Sequence, residues 1–236
     1  MKKLMMICLL TGLQLASNAQ QKWFTLITDS ASLVNEGSSI TNQFIKDIKK
    51  VEPAIQFNAK AVLNTTPYLI YYDYRDISAN LPIWEQVIPD QKQFFYSLAG
   101  NEIEGKKAFG LFFNGFYLPH ELGHALQHAV EKKVGLSYNN EYLANTIAIL
   151  WWRKAGQQKA LADCYETAKT FWSKLPNPVP EGISMEEYFT KNYEKATQNP
   201  FIYGYMQFKQ FMMVYEDTSL PDFDAFILNY INKNKK

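Results

Sequence analysis

The sequence contains little cysteine and no surplus of either charge, and each shortage excludes a class of protein. There are only two cysteines in 236 residues. Cys8 lies in an apolar N-terminal run, so Cys164 has no intramolecular partner in the rest of the chain and a disulfide framework is excluded. The 24 basic and 23 acidic residues form no basic run with interleaved aromatic residues of the kind that binds phosphates. We therefore expect a packed core and no nucleic-acid partner.

Long apolar runs are also scarce. The run from Leu4 to Leu15 is shorter than the about 20 residues that span a bilayer. Two lysines precede it, and Ser17 and Ala19 follow it, which is the pattern of a secretory signal peptide. We predict a signal peptide over residues 1–19, cleavage after Ala19, a secreted or periplasmic protein and no membrane span. The mature chain would carry 22 basic and 23 acidic residues.

Histidine is almost as scarce as cysteine, but the three histidines of the chain lie in one short stretch. This stretch reads His120-Glu121-Leu-Gly-His124 and continues to His128. On a helix, residues four apart lie about 40° apart around the axis and about 6 Å apart along it, so His120 and His124 can direct their imidazoles to one point. Glu121 is turned about 100° away, where its carboxylate could accept a proton from water beside a metal ion.

Glu141 is the expected third metal ligand. It follows His124 by seventeen residues, and between them Gly135 indicates a helix end and Ser137 a helix start. This spacing predicts two antiparallel helices whose facing sides bring the glutamate to the paired histidines. Asn145 lies one turn after Glu141 on the same face, where its side chain can hydrogen-bond a ligand and orient it.

The pattern His120-Glu121-x-x-His124, followed by Glu141-x-x-x-Asn145, resembles the gluzincin division of zinc metallopeptidases, which includes thermolysin-like and aminopeptidase-like enzymes. The resemblance covers about thirty residues. It implies a zincin-like fold and one Zn²⁺ per chain, held by His120, His124 and Glu141. It also implies that Glu121 is the general base of peptide-bond hydrolysis. Thermolysin-like enzymes have an acid at the position of Asn145, so the chain departs from their pattern there.

His128 is the alternative third ligand, because it continues the four-residue spacing. Its Cα lies about 12 Å along a helix from that of His120, whereas zinc–nitrogen distances are about 2.0–2.1 Å. An unbroken helix therefore cannot bring all three rings to one ion, and no glycine between His124 and His128 would break it. We predict that His128 lies near the site without being a ligand.

The spacing of apolar residues predicts an α+β fold that is predominantly α-helical, with residues 20–236 forming one domain. We expect a small mixed N-terminal lobe with a short sheet over residues 20–130, which ends in the histidine helix. An all-helical lobe should follow over residues 131–236. Its glutamate helix should run from about Ser137 to Lys154, and later helices should start at Ser184, Asn199-Pro200 and Pro221.

Within the N-terminal lobe, the segments Trp23–Ile27 and Tyr68–Tyr72 are predicted strands. An apolar stripe predicts a helix that begins at Ser38 or Ser39. The segment Phe109–Phe113 fits either a strand or the approach to a helix. Pro119 fits the opening turn of the histidine helix, where a missing amide hydrogen costs little.

Peptide hydrolysis also needs a hydrogen-bond donor to the oxyanion that forms when water attacks the carbonyl. Because the histidines already have roles, a tyrosine is expected, and Tyr203 and Tyr205 flank Gly204 in an aromatic segment. These two are about 200° apart on a helix, so at most one faces the site, and we choose Tyr203. With fifteen tyrosines in the chain, ordinary packing is the competing explanation for each of them.

The sequence thus predicts a monomeric secreted zinc peptidase that acts on a peptide or protein substrate. The alternative is a secreted zinc-binding or structural protein with a catalytically inactive zincin-like site. A purely structural zinc site usually fills its fourth position with Cys or His. The mature chain offers only Cys164 and the badly placed His128 for that position, which favours the enzyme.

Overall fold

The structure is a computed structural model that describes residues 23–132 and 137–234. The predicted signal peptide over residues 1–19 and the expected helix end at Gly135 lie outside the described residues. Within them the chain is predominantly α-helical with one small sheet, in agreement with the predicted class. No helix in these two ranges has the length and the apolar character needed to cross a membrane.

The first half of the described chain combines helices with the sheet, and the second half is helical. The first half contains α1 Ser30–Val51, β1 Lys60–Leu63, β2 Tyr71–Asp73, β3 Ser78–Leu81, a 3-10 turn Trp84–Gln86, α2 Pro89–Ala99, α3 Glu102–Leu111, a π-helical segment Phe112–Phe116 and α4 Tyr117–Glu131. The second half contains α5 Tyr138–Lys154, α6 Gln158–Trp172, α7 Met185–Thr197, α8 Pro200–Glu216 and α9 Phe223–Asn234.

The sheet has the strand order β1-β3-β2, with β1 parallel and β2 antiparallel to the central strand. The predicted strand Tyr68–Tyr72 is partly correct, because β2 covers Tyr71–Asp73. The Asn64 side-chain amide donates to the carbonyl oxygens of Tyr68 and Leu69, at 2.6 and 2.5 Å, which holds these two residues outside the sheet. β2 packs against α4, the helix that carries the histidines.

The predicted strand at Trp23–Ile27 is wrong. These residues form a turn followed by an irregular segment, and Phe24 has a φ of +68°, which ends any extended conformation there. The backbone donors of the segment bond to a helix instead of a strand. Phe24 N–H donates to the Asn114 carbonyl at 2.9 Å, and Ile27 N–H donates to Asn114 Oδ1 at 3.1 Å.

Helix α1 begins at Ser30, well before the predicted start at Ser38 or Ser39. The cap is Asp29, whose carboxylate accepts a hydrogen bond from the amide of Ser32 at 2.7 Å. The apolar stripe also starts earlier than predicted, because Leu33 is buried on the same face as the later apolar residues.

Pro119 lies in the first turn of α4, as predicted, but this turn is not a free helix start. The helical run starts after Asn101, whose side chain caps α3, and continues through the π-helical segment into α4. Phe109–Phe113 is therefore helical rather than a strand. The amide of Tyr117 bonds to the carbonyl of Phe112, five residues before it, which is the hydrogen-bond pattern of a π turn.

The predicted helix starts in the second half are mostly confirmed. Ser137 caps α5 by accepting from the Asn140 amide, and Ser184 caps α7 in the same way. Asn199 caps α8, which has Pro200 in its first turn. The last helix begins at Phe223 instead of Pro221, because Asp222 Oδ1 accepts from the Ala225 amide and so marks the helix start.

Candidate metal centre

The two helices that carry the predicted ligands, α4 and α5, pack against each other in antiparallel directions, as predicted. Trp152 Nε1 donates to the Phe116 carbonyl at one end of the pair, and Gln127 Nε2 donates to the Asn140 carbonyl at the other. Between these contacts the backbones come very close. A Cβ atom added at Gly123 would lie 3.1 Å from the Ala144 Cα, so a glycine inside the histidine motif allows the approach.

This close approach brings three side chains together. His120 Nε2 lies 3.2 Å from His124 Nε2 and 3.2 Å from Glu141 Oε2, while His124 Nε2 lies 3.6 Å from the same carboxylate oxygen. The residues His120 and Glu141 are each 2% exposed, and the His124 side chain is 14% exposed. The three residues form a buried group that could hold a metal ion.

The hydrogen bonds behind His120 determine which of its ring nitrogens faces the group. The Tyr138 carbonyl can only accept, so the Gln210 side chain presents Nε2 to it, at 2.9 Å, and Oε1 to Asn145 Nδ2, at 3.0 Å. The oxygen of Asn145 therefore faces His120 Nδ1, at 2.9 Å. Because that nitrogen must donate, the Nε2 atom of His120 carries a lone pair directed at the centre of the group.

Glu141 is held at both of its carboxylate oxygens. The Tyr193 hydroxyl donates to Oε1 at 2.5 Å, and Gln207 Nε2 donates to Oε2 at 2.6 Å. Burial raises the pKa of this carboxyl group, but the opposing charges and hydrogen bonds of His124 and His120 hold it well below the usual range. Glu141 is thus an oriented carboxylate that presents one oxygen, Oε2, to the two imidazoles.

His124 is supported less firmly than His120. Its Nδ1 atom lies 3.5 Å from Gln127 Nε2, which is too long for an effective hydrogen bond. Burial lowers the pKa of His124, but the nearby carboxylates of Glu141 and Glu121 raise it above its ordinary value. The orientation of this ring depends mainly on its position on α4.

Glu121 stands beside the group without belonging to it. Its side chain is buried, and burial raises the pKa of its carboxyl group, although the two neighbouring histidines oppose that effect. The backbone amide of Tyr72 on β2 also interacts with this carboxyl group and lowers its pKa. A buried carboxylate with a raised pKa next to metal-binding groups is well suited to exchange protons.

His128 lies outside the group, as the helix geometry predicted. Its Nδ1 atom is hydrogen-bonded to the Tyr72 hydroxyl at 2.9 Å, and its ring also contacts that of Tyr74. Tyr72 thus contacts α4 twice, through its side chain at His128 and through its backbone at Glu121. Neither contact is visible in the sequence, because β2 and α4 are far apart in the chain.

The structure separates the two candidate tyrosines of α8. The Tyr203 hydroxyl accepts a hydrogen bond from Gln207 Nε2 at 2.9 Å. The same nitrogen donates to Glu141 Oε2, so Tyr203 belongs to the hydrogen-bond network around Glu141. Burial and the Glu141 charge raise the pKa of Tyr203 well above its ordinary value. Tyr205 instead packs against Trp172.

Three residues of this network were missed from the sequence, namely Tyr193, Gln207 and Gln210. The two glutamines offered a signal, because they lie among large apolar residues on a largely apolar helix, and buried polar side chains are uncommon unless they are hydrogen-bonded. Tyr193 offered none, since its position matches the apolar stripe of α7. Comparisons with protein-family models, with curated proteins and with solved structures found no match for this chain.

Proposed function

We propose that this protein is a secreted or periplasmic zinc peptidase of the gluzincin type, with a zincin-like fold, which hydrolyses peptide bonds in a peptide or protein substrate. The observation that carries the proposal is the convergence of His120 Nε2, His124 Nε2 and Glu141 Oε2, with Glu121 beside them. Metal-binding atoms and a buried base in one place are the two components that metal-assisted hydrolysis needs.

The spacing of the three atoms fits zinc. Ligand atoms about 2.0–2.1 Å from a tetrahedral ion lie about 3.3–3.4 Å from one another. The three separations in the group are 3.2, 3.2 and 3.6 Å. Two imidazole nitrogens and one carboxylate oxygen suit zinc better than calcium or magnesium, which prefer sets of oxygen ligands. Three protein ligands would also leave a fourth position for water or substrate, as in catalytic zinc sites.

The chain supplies the residues that move and hold protons. A bound zinc ion would polarise the scissile carbonyl and acidify water. Glu121 accepts the proton of the attacking water and later delivers it to the leaving amine as the carbon–nitrogen bond breaks. The raised pKa of Glu121 brings its proton affinity closer to those of the attacking water and the leaving amine.

Tyr203 is our proposed donor to the oxyanion. Its pKa is raised by burial and by Glu141, so the hydroxyl keeps its proton at neutral pH and can donate a hydrogen bond. Its hydroxyl lies in the same network as the Tyr193 hydroxyl, which bonds directly to Glu141. A donor in this position would act from the side of the centre where α7 and α8 meet.

A zinc-binding protein with an inactive zincin-like site is the second candidate, and the burial of the site is the observation that favours it. His120 and Glu141 are each 2% exposed, and Glu121 is 6% exposed. A peptide must reach these atoms to be cleaved, whereas a metal ion needs only a narrow path.

Glu121→Gln tests the proposal, with Glu131→Gln as the matched control on the same helix. We expect the wild-type chain to bind one zinc ion and to cleave peptides of a mixed library, with cleavage lost to a chelator and restored by zinc. Glu121→Gln should retain the metal and lose cleavage by at least about 100-fold, while Glu131→Gln retains both. Equimolar zinc without any cleavage by the wild-type chain would support the inactive site instead. Undiminished cleavage by Glu121→Gln would refute its role as base.

A further inference from the structure

The π-helical segment before α4 has three consecutive buried carbonyl groups that accept hydrogen bonds from outside their own helix. They belong to Asn114, Gly115 and Phe116. For Gly115 the reason is chemical. Its usual helical donor would be the amide of residue 119, four positions later, but residue 119 is proline and has no amide hydrogen.

The replacement donors come from two distant parts of the chain. Trp23 Nε1 donates to the Gly115 carbonyl at 2.9 Å. The backbone amide of the next residue, Phe24, donates to the Asn114 carbonyl at 2.9 Å. On the other side, Trp152 Nε1 of α5 donates to the Phe116 carbonyl at 3.3 Å. The indole of Trp23 thus satisfies a buried acceptor that the residue four positions later cannot serve.

The segment Trp23–Ile27 packs tightly against this helical run. A Cβ atom added at Gly110 would lie 2.5 Å from the Leu26 backbone nitrogen, and one added at Gly115 would lie 2.5 Å from the Phe24 ring. The Phe24 ring also lies 4.7 Å from that of Trp152 on the glutamate helix. The segment therefore contacts α5, which carries Glu141, and the π-helical segment that leads into α4.

We propose that Trp23 is a positioning residue for the metal centre. Its indole N–H takes the place of the amide hydrogen that Pro119 lacks, and so fixes the turn from which His120 projects. The inference rests on the metal-binding part of the proposed function. Without the indole donor, the buried Gly115 carbonyl would lose a hydrogen bond that Pro119 cannot replace, and the first turn of α4 would open more often. Zinc binding would then have to restore that turn each time.

The test compares Trp23→Phe with Trp151→Phe, a matched control. Trp151 is also buried, and its Nε1 atom donates to Asp47 Oδ2 at 3.2 Å, away from the π-helical segment. The first readout is hydrogen exchange of the backbone amides of residues 120–126 in the metal-free protein. The second is the dissociation constant for zinc alone. In Trp23→Phe, we expect the amides of residues 120–126 to exchange faster and zinc to bind about three- to tenfold more weakly. Trp151→Phe should change neither the exchange nor the zinc affinity.

A rescue experiment separates this role from a general loss of packing. Pro119→Ala restores an amide hydrogen that can donate to the Gly115 carbonyl. The double variant Trp23→Phe/Pro119→Ala should therefore regain most of the slow exchange and most of the zinc affinity. The proposal would be overturned if Trp23→Phe had the same amide exchange and the same zinc affinity as the wild type. It would also be overturned if the double variant recovered neither slow exchange nor zinc affinity relative to Trp23→Phe. If the wild-type chain bound no zinc, the proposed metal centre would fail, and the exchange comparison would still decide the role of Trp23.

Discussion

Asn145→Asp places an acid where thermolysin-like enzymes have one, and we predict that it destabilises this protein. Asn145 Nδ2 donates to Gln207 Oε1 at 3.2 Å and to Gln210 Oε1 at 3.0 Å, and a carboxylate can make neither bond. The glutamines cannot simply turn over, because Gln210 Nε2 is bonded to the Tyr138 carbonyl and Gln207 Nε2 to the Glu141 carboxylate. The new carboxylate would therefore face two amide oxygens.

The size of the effect follows from burial, since Asn145 is 0% exposed. Each buried acceptor left without a donor costs about 1–3 kcal/mol, so the free energy of unfolding should fall by about 2–6 kcal/mol at neutral pH. Burial and the two oxygens raise the pKa of the new carboxyl group in the folded protein. The decrease in the free energy of unfolding should therefore be smallest below the unfolded-state pKa of about 3.9. It should grow as the pH rises above that value.

The assay is urea unfolding of the wild type and the variant at neutral and at acidic pH. Asn35→Asp is the control, because Asn35 also lies on a helix, α1, and is exposed. It should change the free energy of unfolding by less than about 0.5 kcal/mol. If Asn145→Asp were as stable as the wild type at neutral pH, the proposed orientation of the two glutamines would be wrong. That result would also remove the basis for the assigned tautomer of His120.

Two further predictions concern hydrogen bonds to buried carboxylates. Tyr193→Phe removes the donor to Glu141 Oε1. We expect zinc binding to weaken only about tenfold, since Gln207 still holds the other carboxylate oxygen. Unchanged affinity in a zinc titration would contradict this role of Tyr193. Burial raises the pKa of Asp47, but hydrogen bonds from a glutamine, a lysine and a tryptophan lower it below its usual value. The stabilisation by Asp47 is therefore present above the unfolded-state pKa and is lost as the pH falls through the folded-state pKa. Asp47→Asn should cost about 1 kcal/mol at neutral pH, and the difference from wild type should shrink in unfolding experiments below pH about 3.9. A difference that is independent of pH would refute this reasoning.

Much of the candidate site was predictable, because helix periodicity and capping are local properties. The four-residue spacing of His120 and His124 and the cap at Ser137 correctly predicted the facing helices that bring Glu141 to the histidines. The same local rules placed Asn145 behind His120, where the structure has it. The rejection of His128 as a ligand also followed from the rise of an unbroken helix.

The errors occurred where distant parts of the chain compete for the same residues. Trp23–Ile27 has the composition of a strand, but its donors bond to the π-helical segment about ninety positions later. The position of Pro119 suggested an ordinary helix start, because nothing local shows that an indole from another segment supplies the missing hydrogen. Tyr193 has the spacing of a core residue, and only the packing of α7 against α5 directs its hydroxyl to Glu141.

The amino-acid sequence by itself therefore determined which side chains could bind a metal, on which faces of which helices they lie, and that the fold is mainly helical. These properties depend on the geometry of a few consecutive turns. Only the tertiary structure decided the tautomer of His120, the restraint of both oxygens of Glu141 and the replacement of the hydrogen bond that Pro119 cannot make. Each of these requires a donor or an acceptor from a segment dozens of residues away, and a local pattern carries no information about such a partner.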